Sequence, residues 1–177
     1  MVGIGVDGVE HCFADNGSDA VFRDMAALGV TFTPTLSIYE LFAPAIMPRM
    51  LDSVRQAFAR GVPISAGTDS PSTRFMNASE GYFRELALLE QAGLPRIDVL
   101  RAATVVAARK LGKEGDFGAL RPGLRANIVL IEGDIMEGSL TRERVRGVLL
   151  HGNPVVMDRR IVDGRQAGFR RSPVVVS

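Results

Sequence analysis

The most constraining feature of this sequence is the alternation of short apolar segments with helical patterns over its first 111 residues. The segments 2–9, 30–33 and 62–66 have the length and apolar character of buried strands. Each is followed by a stretch whose apolar residues recur at helical spacing. Strands that alternate with helices form a parallel sheet covered by helices, so the sequence predicts an α/β fold.

The helical spacing predicts four helices in this part of the chain. One has Ser18 as its N-cap and closes at Gly29, and a second spans 44–60. A third opens at Asn77, where the spacing is that of a capping box. The fourth spans 96–111, and its predicted buried side consists of Leu100, Ala103, Ala107 and Leu111.

The pattern changes near Gly112, where glycines and prolines punctuate a loop. Short strand-like segments follow at 126–131, 145–150 and 155–157, with a turn and a return strand over 159–164. These segments predict a small β unit beside the α/β part. We therefore divide the chain into residues 1–114 and residues 115–177.

Two polar residues stand where predicted strands end. The strand 62–66 runs into Gly67 and then Asp69, and the first strand ends at Glu10 and His11. The carboxyl ends of parallel strands carry the chemistry of (β/α) barrels, and a carboxylate with an imidazole is a typical pair of metal ligands. The alternatives are a turn or N-cap role for Asp69 and a hydrogen-bonded, partly buried side chain for His11.

The remaining candidates are weaker. Cys12 lies beside His11, but a cysteine of this kind is more often a small buried hydrophobe than a ligand. His151 is expected at a strand end or turn, and Arg74 in a solvated loop. The other residues expected in the loops that line a substrate pocket are Ser37, Tyr39, Thr68 and Ser70.

Charge and composition exclude several classes of partner. The chain has 21 basic and 20 acidic residues, so its net charge of +1 does not favour binding to nucleic acid or to an anionic membrane surface. Its single cysteine fits a reducing compartment. With neither a signal-peptide pattern nor an apolar run of about 18 residues, the expected location is cytoplasmic.

Several segments, in their order along the chain, resemble the metal-dependent amidohydrolase superfamily, closest to its imidazolonepropionase-like and prolidase-like branch. The matching segments are Val9-Glu10-His11, Thr33-Pro34-Thr35-Leu36, Ala66-Gly67-Thr68-Asp69-Ser70 and the run 118–130. The resemblance extends over about residues 2–165. It implies a partial TIM-type (β/α) barrel, made of its last three strand–helix units, followed by the family's small β domain.

The resemblance also implies a chemistry. It assigns a metal-ligand role to His11, and to Asp69 the roles of metal ligand and general base on the attacking water. The implied reaction is hydrolysis of a C–N bond in an amide, a cyclic amide or a dipeptide, with a small-molecule substrate. The ligand types favour zinc as the divalent metal, with iron or manganese as the alternatives.

The chain departs from the family in its ligand count. The family's His-x-His pair, its bridging Lys or Glu and a further His have no counterpart here, and the only histidines are His11 and His151. A catalytic zinc site usually needs three protein ligands. Two hypotheses follow: part of a metal-dependent hydrolase, or a non-catalytic fragment or subunit that pairs with another chain, or with its own copies, through open sheet edges. A small complete open-sheet fold that binds a ligand at its strand tips is a third option.

Overall fold

The computed structural model describes residues 5–11, 18–70 and 78–162. Parallel strands alternate with helices in the first two thirds of the chain, and a four-stranded antiparallel sheet follows. The predicted α/β class is confirmed. The predicted helix opening at Asn77 lies outside the described residues at its first position, and so do Cys12 and Arg74.

Three parallel segments lie side by side in chain order. Strand β1 (Gly8–Glu10) pairs with β2 (Thr31–Thr33), so that Gly8 lies opposite Thr31. The extended segment 62–66 joins the other side of β2 through a bridge between Phe32 and Ile64, with backbone hydrogen bonds of 2.8 and 2.9 Å on either side. Because the three segments run the same way, their carboxyl ends meet at one edge.

Six helices are described. They are α1 (Ser18–Leu28), α2 (Leu36–Phe42), α3 (Met47–Ala59), α4 (Ala78–Gln91), α5 (Arg96–Ala102) and α6 (Val105–Lys110). A single 3-10 turn, Pro44–Ile46, leads into α3, so the predicted helix over 44–60 begins three residues late. Helix α2 was not predicted, because its seven residues are too few to establish a helical period.

The predicted single helix over 96–111 is wrong in two respects. The chain breaks between α5 and α6 at Thr104, whose φ of −133° and ψ of −91° are not helical. The buried face is also different, because Val99 and Ala102 are fully buried while Leu111 is 65% exposed. The break changes the rotation of the second helix relative to the first, so one continuous period could not describe both.

The apolar core lies between the helices and one face of the parallel segments. Side chains of β2 and of the segment 62–66 pack there against α1, α3, α4 and α5. The fully buried members, all with at most 1% exposure, are Leu36, Met50, Val54, Ala57, Leu88, Leu89, Ala92, Val99 and Ala102. The core therefore fixes the helices against the sheet and leaves the strand tips outside it.

The C-terminal sheet has the order β3–β4–β5–β6, with every pair antiparallel. Its strands are β3 (Ile128–Ile131), β4 (Val145–Leu150), β5 (Asn153–Met157) and β6 (Arg160–Ile161). Strands β3, β4 and β6 fall within segments that the sequence predicts as extended, and β5 begins two residues before the predicted strand 155–157. None of the described helices is both long and apolar enough to cross a membrane.

Two arginines hold the loop that connects β3 to β4. Arg144 donates hydrogen bonds to the carbonyls of Glu132, Asp134, Glu137 and Ser139. Arg96, at the start of α5, donates to the carbonyls of Ile135 and Gly138 in the same loop. This loop is therefore bonded to both the sheet and the helical part of the chain.

Candidate functional site

The residues that end the three parallel segments share an unusual backbone conformation. His11, Thr35 and Asp69 have φ angles of 67°, 53° and 49°. Residues other than glycine rarely adopt the left-handed region, and such positions cluster where the surrounding structure holds a functional geometry. At His11, a backbone hydrogen bond of 2.9 Å from its N–H to the Thr33 carbonyl fixes the end of β1.

The side chains of these residues converge. His11 Nδ1 lies 3.2 Å from the Thr35 hydroxyl and 3.8 Å from Asp69 Oδ2. The second distance is too long for a hydrogen bond, but it places the carboxylate beside the imidazole ring at the carboxyl ends of the parallel segments. The His11 and Asp69 side chains are 40% and 58% exposed, so this edge is open to a ligand.

An open cleft of about 520 Å³ lies beside Asp69. Thr68 and Ser70, two of the residues predicted to line a pocket, are part of its wall, together with Ile38 and Phe42 of α2. The Thr68 hydroxyl accepts a hydrogen bond of 3.1 Å from the Ser70 N–H, which closes the turn around Asp69. The cleft combines a carboxylate with two apolar side chains.

Two further predicted residues occupy other places. Ser37 is buried, with only 2% exposure, and its backbone N–H donates to the interior carboxylate described below. His151 lies in the turn between β4 and β5, where its Nε2 is 3.2 Å from the Arg125 guanidinium. It belongs to the small sheet, as its predicted turn position implies.

Sequence reasoning missed the buried carboxylate of Glu85. This side chain of α4 is 0% exposed and accepts hydrogen bonds from the backbone N–H groups of Leu36, at 3.0 Å, and Ser37, at 2.7 Å. Burial raises the pKa of Glu85 to about 7, against the lowering effect of those two bonds. The available signal was its position on the same face of α4 as the buried Leu88, Leu89 and Ala92.

Lys110 of α6 reaches across the tips of the first two strands. Its ammonium group contacts the Glu10 carboxylate and the Thr33 hydroxyl. The lysine therefore balances the charge of Glu10, the residue immediately before His11. Sequence reasoning also missed this contact, because the two residues are 100 positions apart.

The family model described as the amidohydrolase family matches residues 1–161. This match covers most of the sequence. The chain belongs to the amidohydrolase family. The resemblance found in the sequence is thereby confirmed.

Individual amidohydrolases match over most of this chain but over less than half of their own length. A 5-methylthioadenosine/S-adenosylhomocysteine deaminase of Syntrophobacter fumaroxidans is 25% identical over an alignment 175 residues long, which covers 86% of this chain and 37% of the deaminase. The solved structure of a putative prolidase from Bifidobacterium longum is 27% identical with a TM-score of 0.68, covering 91% of this chain and 44% of the prolidase. An adenosine deaminase structure from Xanthomonas campestris with bound zinc has 22% identity and a TM-score of 0.68, covering 91% and 40%.

Amidohydrolases are metal-dependent, so the donors of this chain can be tested against a zinc site. His11 and Asp69 are of residue types that bind zinc, and their side chains lie close together. Within residues 5–11, 18–70 and 78–162, however, no third His, Cys, Asp or Glu joins them to complete a metal-binding group. The described residues therefore bring two side chains of zinc-binding type together but do not form a whole zinc site.

Proposed function

We propose that this chain forms the C-terminal part of a metal-dependent amidohydrolase that hydrolyses a C–N bond. In this proposal the three parallel segments correspond to the last three strands of a TIM-type barrel, and the antiparallel sheet to the small β domain. The observation that carries it is the 3.8 Å approach of His11 and Asp69 at the carboxyl ends of two parallel segments. That edge is where barrel enzymes hold their catalytic groups.

Each of the two residues has a distinct role in the proposal. His11 is a metal ligand, and Asp69 is both a ligand and the base that takes a proton from the attacking water and delivers it to the leaving nitrogen. A bound divalent metal, zinc or alternatively iron or manganese, lowers the pKa of a coordinated water and polarises the substrate carbonyl. The remaining donors of the site are not found among the described residues of this chain.

The substrate is a small molecule with a cleavable C–N bond. The relatives are described as deaminases of adenosine derivatives and as prolidases, which are two classes of C–N hydrolysis. The open cleft beside Asp69 offers the apolar side chains of Ile38 and Phe42 to the part of the substrate next to that bond. These side chains support an uncharged group at that position.

Matched substitutions test this function. Asp69→Asn and His11→Asn keep residues that tolerate a positive φ, so they remove donors with little effect on the backbone. The controls are Asp158→Asn and His151→Asn, because Asp158 and His151 also have positive φ, at 47° and 53°. All four variants are assayed with zinc, iron or manganese on Xaa-Pro dipeptides, N-acyl amino acids and 5-methylthioadenosine.

The expected result is metal-dependent turnover that falls by about 10²- to 10⁴-fold in Asp69→Asn and is unchanged in Asp158→Asn. His11→Asn is expected to raise the metal concentration needed for activity, whereas His151→Asn is not. Metal-dependent turnover that survives Asp69→Asn contradicts the proposal.

The second candidate function is that of a subunit that completes a site with another chain or with its own copies. The observation in its favour is the outer edge of β1, which pairs only with β2 among the described strands. Exposed edge strands are templates for pairing with a further strand. In that case the donors missing here come from the strand that pairs with β1.

A further inference from the structure

The Glu85 carboxylate is bonded to a part of the chain that is 48 residues away in sequence. It lies on α4 and accepts both backbone N–H groups at the start of α2, those of Leu36 and Ser37. The residue before this helix, Thr35, has a hydroxyl that makes no capping bond to α2. Glu85 therefore satisfies N–H groups that an N-cap side chain would otherwise bind.

The Thr35 hydroxyl does not cap α2 because it contacts His11. It lies 3.2 Å from His11 Nδ1, on the neighbouring strand. A threonine with φ of 53° is strained, since a β-branched residue rarely adopts this conformation. The two hydrogen bonds that Glu85 accepts hold the residues immediately after Thr35. They therefore stabilise the conformation in which the Thr35 hydroxyl lies beside the His11 imidazole.

The groups around Nδ1 favour one tautomer of His11. The Thr35 hydroxyl, 3.2 Å from Nδ1, can accept from a protonated nitrogen or donate to a bare one, so it does not select the tautomer by itself. The Asp69 carboxylate, which only accepts when ionised, lies 3.8 Å from the same nitrogen and favours a proton there, and the hydroxyl then accepts from Nδ1–H. The Nε2 atom then keeps the lone pair that a metal needs, which is how a second hydrogen bond orients a histidine ligand.

We propose that Glu85 is a positioning residue of the strand-tip site: by holding the first turn of α2, it keeps the Thr35 hydroxyl beside His11 Nδ1, where the hydroxyl accepts from the N–H that the Asp69 carboxylate favours, and Nε2 is then available as the ligand atom. The term ligand atom rests on the function proposed above. The tautomer itself is a property of the chain alone, so it can be measured whether or not a metal binds.

The test uses the two histidines of the chain, because they give two separable sets of ring signals in one spectrum. Uniformly ¹⁵N-labelled protein is examined by long-range ¹H–¹⁵N correlation at about pH 8.5, well above the ordinary imidazole pKa of about 6.5. The variants are Glu85→Gln and Thr35→Val, which are close to isosteric with the native residues. Glu80→Gln is the control, because Glu80 is an exposed residue of the same helix.

Three results are expected. His11 of the unsubstituted chain shows the shift pattern of the Nδ1–H tautomer. Thr35→Val moves it toward the Nε2–H tautomer that free histidine prefers, and Glu85→Gln moves it in the same direction, while Glu80→Gln does not. The His151 signals stay unchanged in every variant, which shows that the small sheet is intact, and the dispersed backbone amide signals of the same sample show that the helical part remains folded.

Two results overturn the proposal. One is an Nε2–H pattern for His11 in the unsubstituted chain, and the other is an unchanged His11 pattern in folded Glu85→Gln. If Glu85→Gln does not fold, Glu85→Asp replaces it, since it keeps the charge but withdraws the carboxylate by one methylene. A failed activity assay contradicts the proposed function but leaves these tautomer results standing, so the two failures are distinguishable.

Discussion

At the scale of single residues, the sequence predicted the two exposed candidate residues but not the buried carboxylate near them. Asp69 and His11 were predicted because each follows an apolar segment, and the structure brings them within 3.8 Å. Glu85 was not predicted, because its role depends on backbone groups of a helix that pattern reasoning did not find. A polar residue on a buried helix face implies that a hydrogen-bond partner exists, but the sequence does not show which group that partner is.

The buried carboxylate predicts a specific dependence of stability on pH. The pKa of Glu85 is about 7 in the folded chain and 4.5 for an unperturbed glutamate. Between these values the folded state binds more protons, so the free energy of unfolding falls as pH rises. The protonated Glu85 contributes fully to the free energy of unfolding below pH 4.5. This contribution is lost as the pH rises through 7, and the loss lowers the free energy of unfolding by about 3 kcal/mol.

Urea unfolding of the unsubstituted chain and of Glu85→Gln, at steps from pH 4.5 to 7.5, measures this contribution. We expect the difference in unfolding free energy between the two to change by about 3 kcal/mol over this range. The exposed control Glu80→Gln should show no such change. A difference that stays constant with pH means that the carboxyl ionises as easily in the folded state as in the unfolded one.

At the scale of elements, the parallel strands and the long helices were predictable, and the short elements were not. Strand β4 has the predicted bounds, since four of its six residues are apolar and the first and last of them are among these four. Helix α2, with seven residues, and the break at Thr104 are decided by tertiary contacts and escaped prediction. Helix α2 forms one wall of the cleft beside Asp69. Because this helix was not predicted, that wall of the cleft could not be predicted from the sequence.

One close approach between strands predicts a measurable effect. A β-carbon added at Gly67 would lie 2.6 Å from the Thr33 methyl group, so Gly67→Ala forces β2 and the segment before Asp69 apart. We expect a loss of about 1–3 kcal/mol in unfolding free energy. Gly115→Ala is the matched control, because a β-carbon there meets nothing within 4 Å.

A double-mutant cycle identifies the cause of that loss. Thr33→Ser removes the methyl group, so it should recover most of the stability that Gly67→Ala loses. Thermal or urea unfolding of the two single variants and the double variant gives the coupling. If the two effects are simply additive, the methyl contact is not what requires glycine at position 67.

At the scale of the whole molecule, the α/β class and the following sheet were predictable from the order of elements, because local patterns determine both. Whether the chain acts alone was not, since that depends on what meets the outer edge of β1. The backbone groups of residues 7, 9 and 11 face β2, as the bonds from Thr31 to the Asp7 carbonyl and from His11 to the Thr33 carbonyl indicate. Those of Gly8 and Glu10 therefore face outward.

This geometry predicts how association through the edge can be blocked. If the chain pairs through β1, Glu10→Pro removes an outward N–H and should abolish that association. Glu10→Gln is the control, because it keeps the N–H while removing the charge that contacts Lys110. Light scattering with size-exclusion chromatography measures the mass, and equal association by both variants rules out pairing through this edge.

The most direct test of the strand-tip metal site is a cobalt(II) titration of the whole chain, followed through the ring signals of its two histidines. We expect paramagnetic broadening to reach His11 at a lower cobalt concentration than His151. We also expect Asp69→Asn to remove this preference and Asp158→Asn to preserve it. Equal broadening of the two rings, or a preference for His11 that survives Asp69→Asn, would contradict a shared His11–Asp69 metal site.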